Sequence, residues 1–260
     1  MATSATSGRG TSSSRSTAGA TAEQVANVLD WLERRGTQAN REGMARFGIR
    51  PTKAYGVSMT TMRPLVKRLG KDHQLALALW ETGWHEARLL ASFVAEPSRV
   101  TSALMEAWGR DFDSWAVCDS VCLHLFDRTP YAFAKARVWS RRRDELVKRA
   151  AFALLAGLAV HDQQAADAAF LAHFPDIERA ASDPRHFVKK AVSWALRQIG
   201  KRNLALNAEA VDLALGLSQA SGAAERWVGK DALRELTSAA VRQKLARRAG
   251  SAVQRRRKPL

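Results

Sequence analysis

The strongest constraint on the fold is the spacing of the apolar residues, which recur at steps of three and four along most of the chain. Val25, Val28, Leu29 and Leu32 form one such stripe. Steps of this size place apolar side chains on one face of an α-helix, whereas a half-buried strand needs strict alternation, which is hard to find here. The spacing therefore predicts an all-α protein. We expect Pro64 to lie in the first turn of its helix, where the missing N–H is tolerated.

One kind of helix recurs, with a polar or basic start and a small residue at its centre. The five examples are centred on Ala87, Ala116, Ala150, Ala191 and Ala232. Their separations of 29, 34, 41 and 41 residues approach the period of about 40 that is typical of HEAT-type helical pairs. This pattern predicts a HEAT-like helical-repeat solenoid whose inner helices line a concave basic surface. An irregular helical bundle is the alternative.

Charge divides the chain into a body and two terminal segments. The formal net charge is +16, and half of it comes from eight basic residues after residue 235, where there is no acid. Residues 1–20 are mainly Ser, Thr, Ala and Gly, which cannot bury a core. We therefore expect a disordered leader over 1–20, a single domain over 21–245 and a disordered basic tail over 246–260. A transit peptide is the alternative for the leader.

Composition excludes several classes of protein. With 46% hydrophobic and 25% charged residues the chain is not wholly disordered, and its longest apolar run, Ala150–Val160, is shorter than the roughly 20 residues of a membrane span. The only cysteines, Cys118 and Cys122, cannot build a disulfide framework or a four-ligand zinc site. We expect a monomeric cytoplasmic protein with no membrane contact, no metal and no cofactor.

Common catalytic signatures are absent. There is no GxGxxG motif, and the Gly229-Lys230 pair is followed by Asp231, where a phosphate-binding loop needs Ser or Thr. The His85-Glu86 pair is followed by Leu89 instead of the second histidine of a zinc-protease helix. Since the two cysteines and His124 lack a fourth ligand, we interpret them as core residues.

What remains is a set of indole, carboxylate and basic side chains on the proposed inner helices. Trp115 and Asp119 are four residues apart and so share a helix face, while Arg149 and Trp194 lie on two later helices. Further basic residues on these helices are Lys148, Lys189, Lys190 and Arg197. An indole attracts a cation, a carboxylate stabilises developing positive charge, and basic groups hold phosphates. Each residue alone is typical of core packing or a solvated surface, so the functional interpretation depends on their joint appearance.

From about Val57 to Arg234 the chain resembles the AlkD-type DNA alkylation repair glycosylases, which are all-helical, HEAT-like proteins. The most specific similarities are the Trp-x-x-x-Asp step and the string F-x-x-K-A-x-x-W-x-L-R. The segments that carry the resemblance are YGVSMTTMR (Tyr55–Arg63), LWETGWHEAR (Leu79–Arg88), DFDSWAVCD (Asp111–Asp119), LVKRAAFALL (Leu146–Leu155) and HFVKKAVSWALRQIG (His186–Gly200).

The resemblance implies a lesion site formed by Trp115, Asp119, Trp194 and Arg149. Many relatives have paired aromatics before the Asp, whereas Ser114 and Ala116 flank the indole here. The implied activity is that of a monofunctional glycosylase, a hydrolase that excises cationic N3- or N7-alkylpurines from duplex DNA without base flipping. Asp119, Trp115 and Trp194 are then catalytic, and Arg149, Lys148, Lys189, Lys190 and Arg197 bind DNA.

Two other functions stay open at the level of sequence. One is a non-catalytic helical-repeat protein that binds DNA or RNA by shape and charge. The other is a protein–protein scaffold, since helical solenoids commonly bind peptides. A scaffold would bind with weak salt dependence, whereas 6–10 phosphate contacts lose about 10³–10⁵-fold in affinity between 50 and 200 mM salt.

Overall fold

The structure is a computed structural model that describes the secondary structure of residues 11–257 and the side chains of residues 19–250. Over residues 11–257 all regular secondary structure is helical, which confirms the predicted fold class. None of these helices combines the length and the apolar character that a membrane span requires. The chain forms two compact units, one ending at Arg99 and the other beginning at Val100.

From residue 11 onward, where the structure describes it, the first unit contains five α-helices and a 3₁₀ turn. They are α1 (Thr11–Glu33), α2 (Gln38–Arg46), α3 (Met59–Leu69), α4 (His73–Glu81), α5 (His85–Val94) and the turn Pro97–Arg99. Two of the segments that carry the family resemblance meet here through Glu86. Its buried carboxylate accepts hydrogen bonds from the amides of Tyr55, Gly56 and Val57 at 2.7–3.1 Å. Gly56 has a φ of 81°, in the left-handed region that favours glycine.

Up to residue 257, the last one described, the second unit contains ten further α-helices. They are α6 (Ser102–Arg110), α7 (Trp115–His124), α8 (Ala132–Trp139), α9 (Glu145–His161), α10 (Asp167–Leu171), α11 (Phe174–Ala181), α12 (His186–Gly200), α13 (Leu204–Gln219), α14 (Ala223–Leu236) and α15 (Ala239–Arg257). A 3₁₀ turn, Phe126–Arg128, lies between α7 and α8.

These helices form two layers built from consecutive pairs. In one layer α7, α9, α12 and α14 each pack against the next, and we call this the inner layer. In the other layer, α8 packs on α9, α11 on α12, and α13 on α14. Stacked helix pairs of this kind are the HEAT-like arrangement that the sequence predicted. The predicted basic concave surface stays a prediction.

Helix α9 is the centre of the core. Every residue from Arg149 to Ala159 is buried, because α9 contacts α7, α8 and α12. A helix that is apolar on all sides is expected at such a position, and this explains the long apolar run in the sequence. Cys118 and Cys122 are buried free thiols that donate to carbonyl oxygens of α9, so their interpretation as core residues is confirmed.

The ends of the helices differ from the predicted domain bounds. Helix α1 begins at Thr11, inside the predicted leader, and α15 extends to Arg257, inside the predicted tail. The segment 11–20 has no proline and continues directly into an amphipathic stripe, while Ala, Arg, Lys and Gln in the tail are good helix formers. Residues 1–10 and 258–260 lie outside the described part of the chain. The single domain predicted over 21–245 corresponds to parts of both units.

Two local predictions need correction. Pro64 is the sixth residue of α3 and so lies past its first turn; it is exposed, which leaves its ring away from the core. Ala116 is the second residue of α7, because Ser114 caps the helix by accepting a hydrogen bond from the Val117 amide. A capping hydroxyl therefore moves the start of α7 to the predicted centre.

Candidate active site

A cleft of about 360 Å³ lies on the inner layer of the second unit. All four helices of that layer contribute side chains to it: α7, α9, α12 and α14. The lining residues are Asp119, Arg149, Lys190, Trp194, Arg197, Trp227 and Asp231. Five of these seven residues were singled out from the sequence, on three different helices. The fold therefore brings most of the predicted site together.

The Asp119 carboxylate is held by a bidentate ion pair. Arg149 donates from Nε to Oδ1 at 2.8 Å and from Nη2 to Oδ2 at 2.7 Å, across the contact between α7 and α9. The third donor of Arg149, Nη1, is 2.8 Å from the Phe187 carbonyl oxygen at the start of α12. Both side chains are largely buried, with 14% of Asp119 and 8% of Arg149 exposed. The pair fixes the carboxylate in one orientation.

Burial and pairing act in opposite directions on this carboxylate. Burial raises the pKa of Asp119, and the charge and hydrogen bonds of Arg149 oppose the rise without cancelling it. Burial lowers the pKa of Arg149, but the Asp119 carboxylate more than reverses this effect, so that the guanidinium stays charged. Asp119 thus supplies a fixed acidic group whose pKa lies above that of an ordinary aspartate.

Aromatic side chains surround the ion pair. The Arg149 guanidinium carbon lies 5.7 Å from the centre of the Trp115 ring and 6.0 Å from that of Phe187. Trp115 and Trp194 are both half-buried, and Trp194 lines the cleft directly. Trp194 therefore lines the same cleft as Asp119, whereas Trp115 is not among the lining residues and lies beside Arg149, the partner of that carboxylate.

The predicted DNA-binding residues differ in how freely their charges are available. Lys190 is exposed at the cleft and makes no ion pair with any described residue, while Lys189 lies with its Nζ 5.1 Å from the Trp227 ring centre. Arg197 lines the cleft but is paired with Glu235 and Asp231. Arg149 has its donors on protein acceptors, so its phosphate contact stays a prediction.

Lys148 lies apart from the other predicted DNA-binding residues. Its Nζ is 2.9 Å from Asp183 Oδ2, in a different cleft of about 940 Å³ that Arg179 and Arg185 also line. Neighbouring residues of a helix point about 100° apart, which explains why Lys148 and Arg149 reach different clefts. The larger cleft lacks an indole, so its size alone does not favour it as the site of chemistry.

Two residues of the cleft, Trp227 and Asp231, were missed in the sequence. Both lie on α14, and Asp231 Oδ2 accepts a hydrogen bond of 2.6 Å from the Ser193 hydroxyl on α12. The signal that identifies them is the Trp-x-x-x-Asp spacing, which Trp227 and Asp231 repeat. Among the described side chains, no group of three or more His, Cys, Asp or Glu is placed to hold a metal ion.

Comparison with solved structures gives the same fold. One match belongs to a family of proteins related to the HEAT-like repeat DNA glycosylases, with affinity for branched DNA structures. It has a TM-score of 0.68 and 18% sequence identity, and it covers 82% of this chain and 95% of that one. A designed armadillo repeat protein in complex with a (KR)4 peptide has a TM-score of 0.34 at 13% identity, with 72% and 80% covered. That second likeness is too distant to bear on the fold.

Comparison of sequences identifies the family. None of the curated protein sequences matches this chain. The family model described as DNA alkylation repair enzyme, however, matches residues 28–236, a span that contains every residue of the cleft and about four fifths of the chain. With its fold, its cleft and most of its length accounted for in this way, the chain belongs to the DNA alkylation repair enzyme family.

Proposed function

We propose that this protein is a monofunctional DNA glycosylase that hydrolyses the N-glycosidic bond of cationic N3- and N7-alkylpurines in duplex DNA. The observation that carries the proposal is the Asp119 carboxylate, which Arg149 fixes in a cleft that Trp194 and Lys190 also line. An oriented acid, an indole and a free cation beside each other suit a substrate that combines a cationic nucleoside with a phosphate backbone.

The proposed hydrolysis does not need a strong general acid. Alkylation at N3 or N7 places a positive charge on the purine, so the base leaves with the electron pair of the C1′–N9 bond and becomes neutral. The sugar then carries the positive charge as an oxocarbenium-like species. A water molecule adds to C1′ and loses a proton, which completes hydrolysis. The protein has to stabilise the sugar cation, and a fixed carboxylate does so without reorganising at the moment of reaction.

The proposal gives several residues in and around the cleft a role in this reaction. Asp119 faces the developing sugar cation and orients the attacking water, while Trp115 and Trp194 contact the deoxyribose. Lys189 and Lys190 hold the flanking phosphates. The cleft is open, and a flipped base needs an enclosing pocket, so we propose that the base is excised from the duplex without flipping. We further propose that the protein acts as a monomer in the cytoplasm.

The proposal predicts that Asp119→Asn loses most of its excision activity. The amide keeps the size of the side chain but removes the negative charge, and loss of one such electrostatic contact lowers a rate by about 10²–10³-fold. Release of N7-methylguanine and N3-methyladenine from methylated duplex DNA, measured by mass spectrometry with enzyme in excess, gives the rate. Duplex affinity is measured beside it and should be largely kept.

Asp212→Asn is the matched control, because Asp212 is an exposed aspartate on α13 outside the cleft. It should excise like the wild type. If folded Asp119→Asn releases base at the wild-type rate, or loses affinity and excision to the same extent, the role given to Asp119 is wrong.

A second candidate function is a non-catalytic protein that recognises DNA structure. It is favoured by the likeness in fold to proteins with affinity for branched DNA structures, and by the ion pair that occupies both oxygens of Asp119. This candidate predicts tight, salt-dependent binding to junction DNA and no release of base from methylated duplex. The base-release assay therefore separates the two functions.

A further inference from the structure

The inner layer contains the Trp-x-x-x-Asp step twice. Trp115 and Asp119 form the first step on α7, and Trp227 and Asp231 form the second on α14, at the opposite end of the inner layer. Asp119 and Asp231 line the same cleft of about 360 Å³, together with Trp227. The cleft therefore has one wall at each end of the inner layer, the first with Asp119 and the second with Trp227 and Asp231.

The two steps have matching surroundings. A cation lies over each indole, at 5.7 Å from the Trp115 ring centre for Arg149 and at 5.1 Å from the Trp227 ring centre for Lys189. Each carboxylate is also bonded to the neighbouring inner helix, Asp119 to α9 and Asp231 to α12. Both steps thus combine an indole that already accepts a cation with a carboxylate in a fixed position.

The two carboxylates differ in the ion pairs and hydrogen bonds that they make. Asp119 shares both oxygens with one buried guanidinium. Asp231 is bonded to the Ser193 hydroxyl and lies 3.6 Å from Arg197 Nε, while its other ion pair is with Arg234, whose side chain is 79% exposed. Solvent screens the exposed Arg234 charge, and Arg197 also pairs with Glu235. Asp231 therefore keeps part of its negative field within the cleft.

This difference suits the two cations of the proposed reaction. The alkylated base is positively charged before the reaction begins, whereas the sugar becomes positive only as the bond breaks. A permanent cation such as the alkylated base is bound by an indole face and a carboxylate that is not fully neutralised. A cation that develops only in the transition state, such as the sugar, is stabilised best by a rigidly oriented group. We infer that Trp227 and Asp231 form a second subsite that binds the cationic alkylated base, while the Asp119 step faces its sugar; this inference rests on the proposed function.

The test is a binding measurement that needs no catalysis. The probe is a duplex with one N7-methylguanine on a 2′-fluoro sugar, since fluorine disfavours the sugar cation and keeps the bond intact. Its affinity, measured by fluorescence anisotropy at fixed salt, is compared with that of the unmethylated 2′-fluoro duplex. The wild type should prefer the cationic duplex, and Trp227→Leu and Asp231→Asn should each lower this preference by roughly 3- to 30-fold. Trp227→Phe, which keeps a weaker aromatic face, should lower it less.

Controls separate binding from folding. Trp31→Leu removes another half-buried indole with a cation over its ring, Arg35 at 4.2 Å, from outside the cleft, and should leave the preference unchanged. Thermal unfolding identifies any variant that is not folded, and Asp231→Asn keeps an acceptor for Ser193. If the wild type shows no preference, or if folded Trp227→Leu and Asp231→Asn both keep it, the inference is wrong.

The proposed function is tested separately, by measuring whether the wild type releases N7-methylguanine from the same duplex without the 2′-fluorine. Excision together with a preference that the variants keep overturns the second subsite alone. A preference that the variants lose, without any excision by the wild type, supports the subsite and overturns the glycosylase.

Discussion

The ion pair between Asp119 and Arg149 sets both the shape and the pH dependence of the candidate site. In the proposed reaction Asp119 has to be ionised to stabilise a sugar cation, so excision should fall as the pH drops through its pKa. Burial raises that pKa, so the acid limb should lie above the ordinary range of aspartate. Arg149 works against the rise, which makes the guanidinium a positioning group for the carboxylate.

Arg149→Lys should move the acid limb to higher pH and slow excision at neutral pH. A lysine keeps the charge but cannot reproduce the bidentate geometry, so the ionised form of Asp119 loses a charge-assisted hydrogen bond. Such a bond is worth about 1.5–3 kcal/mol, which corresponds to roughly 10- to 100-fold in rate. Single-turnover rates from pH 4 to 8 measure both effects. Arg34→Lys, in an exposed pair with Asp30 just after the end of α1, should change neither, and a limb that stays in place in folded Arg149→Lys would refute this role.

At this scale the sequence identifies residue types but not partners. The spacing of Trp115 and Asp119 was enough to place them on one face of α7. The partner of Asp119 lies 30 residues away on α9 and depends on how the two helices pack, which no local pattern contains. Trp227 and Asp231 carry the same spacing, and a search for recurrence of that step would have found them.

Among the helices, the contact between α13 and α14 positions the second wall of the cleft. Gly229 lies on α14 between Trp227 and Asp231, and it faces the backbone of α13. A Cβ at this position would be 2.6 Å from the Ala214 carbonyl oxygen and closer still to the Ser218 amide nitrogen. Backbone atoms cannot turn away as a flexible side chain can, so the helices would have to separate.

Gly229→Ala should therefore destabilise the protein and displace the Trp227 wall. Overpacking of this kind typically costs about 1–3 kcal/mol of unfolding free energy, to be measured by urea denaturation. The matched control is Gly216→Ala on α13, where a Cβ would meet nothing within 4 Å. That change should be neutral or stabilise by up to about 1 kcal/mol, since alanine is the better helix former. Equal stability of the two variants would contradict the close approach of α13 and α14.

The existence of the helices could be predicted from the sequence more reliably than the residues at which they begin and end. Each of the five helices predicted around a small residue exists, as α5, α7, α9, α12 and α14, because a 3.6-residue apolar period survives in any helix with one buried face. Their bounds depend on single groups that a period does not report. Ser114 caps α7 and so fixes its first residue, and Pro64 is tolerated in the exposed interior of α3.

At the scale of the whole molecule, net charge is the property that follows most directly from the sequence. The net charge of +16 favours encounter with a polyanion, and four of the basic residues lie within 255–258. Charge alone does not say which polyanion is bound or where. The cleft adds that information, because it combines basic residues with two indoles and two carboxylates, a composition that phosphate binding by itself does not need.

If the C-terminal charges strengthen non-specific DNA binding, neutralising them should weaken affinity without slowing chemistry. The changes Arg255→Gln, Arg256→Gln, Arg257→Gln and Lys258→Gln, made together, keep the chain length and leave Arg248 bonded to the Lys201 and Arg202 carbonyls. Each phosphate contact contributes about 0.9 to the slope of log affinity against log salt, so the slope should flatten by as much as about 3 to 4. Single-turnover excision at saturating enzyme should stay near the wild-type rate.

A variant of equal charge shows whether position matters. Arg46→Gln, Arg50→Gln, Lys67→Gln and Arg68→Gln together remove the same charge from exposed sites of the first unit. If net charge alone attracts the DNA, both variants should flatten the slope equally, and the tail has no special part in binding. If the C-terminal charges contact phosphates directly, the slope should change more in the tail variant, because counterions are released only from phosphates that are neutralised. An unchanged slope in the tail variant would mean that the tail serves a different partner.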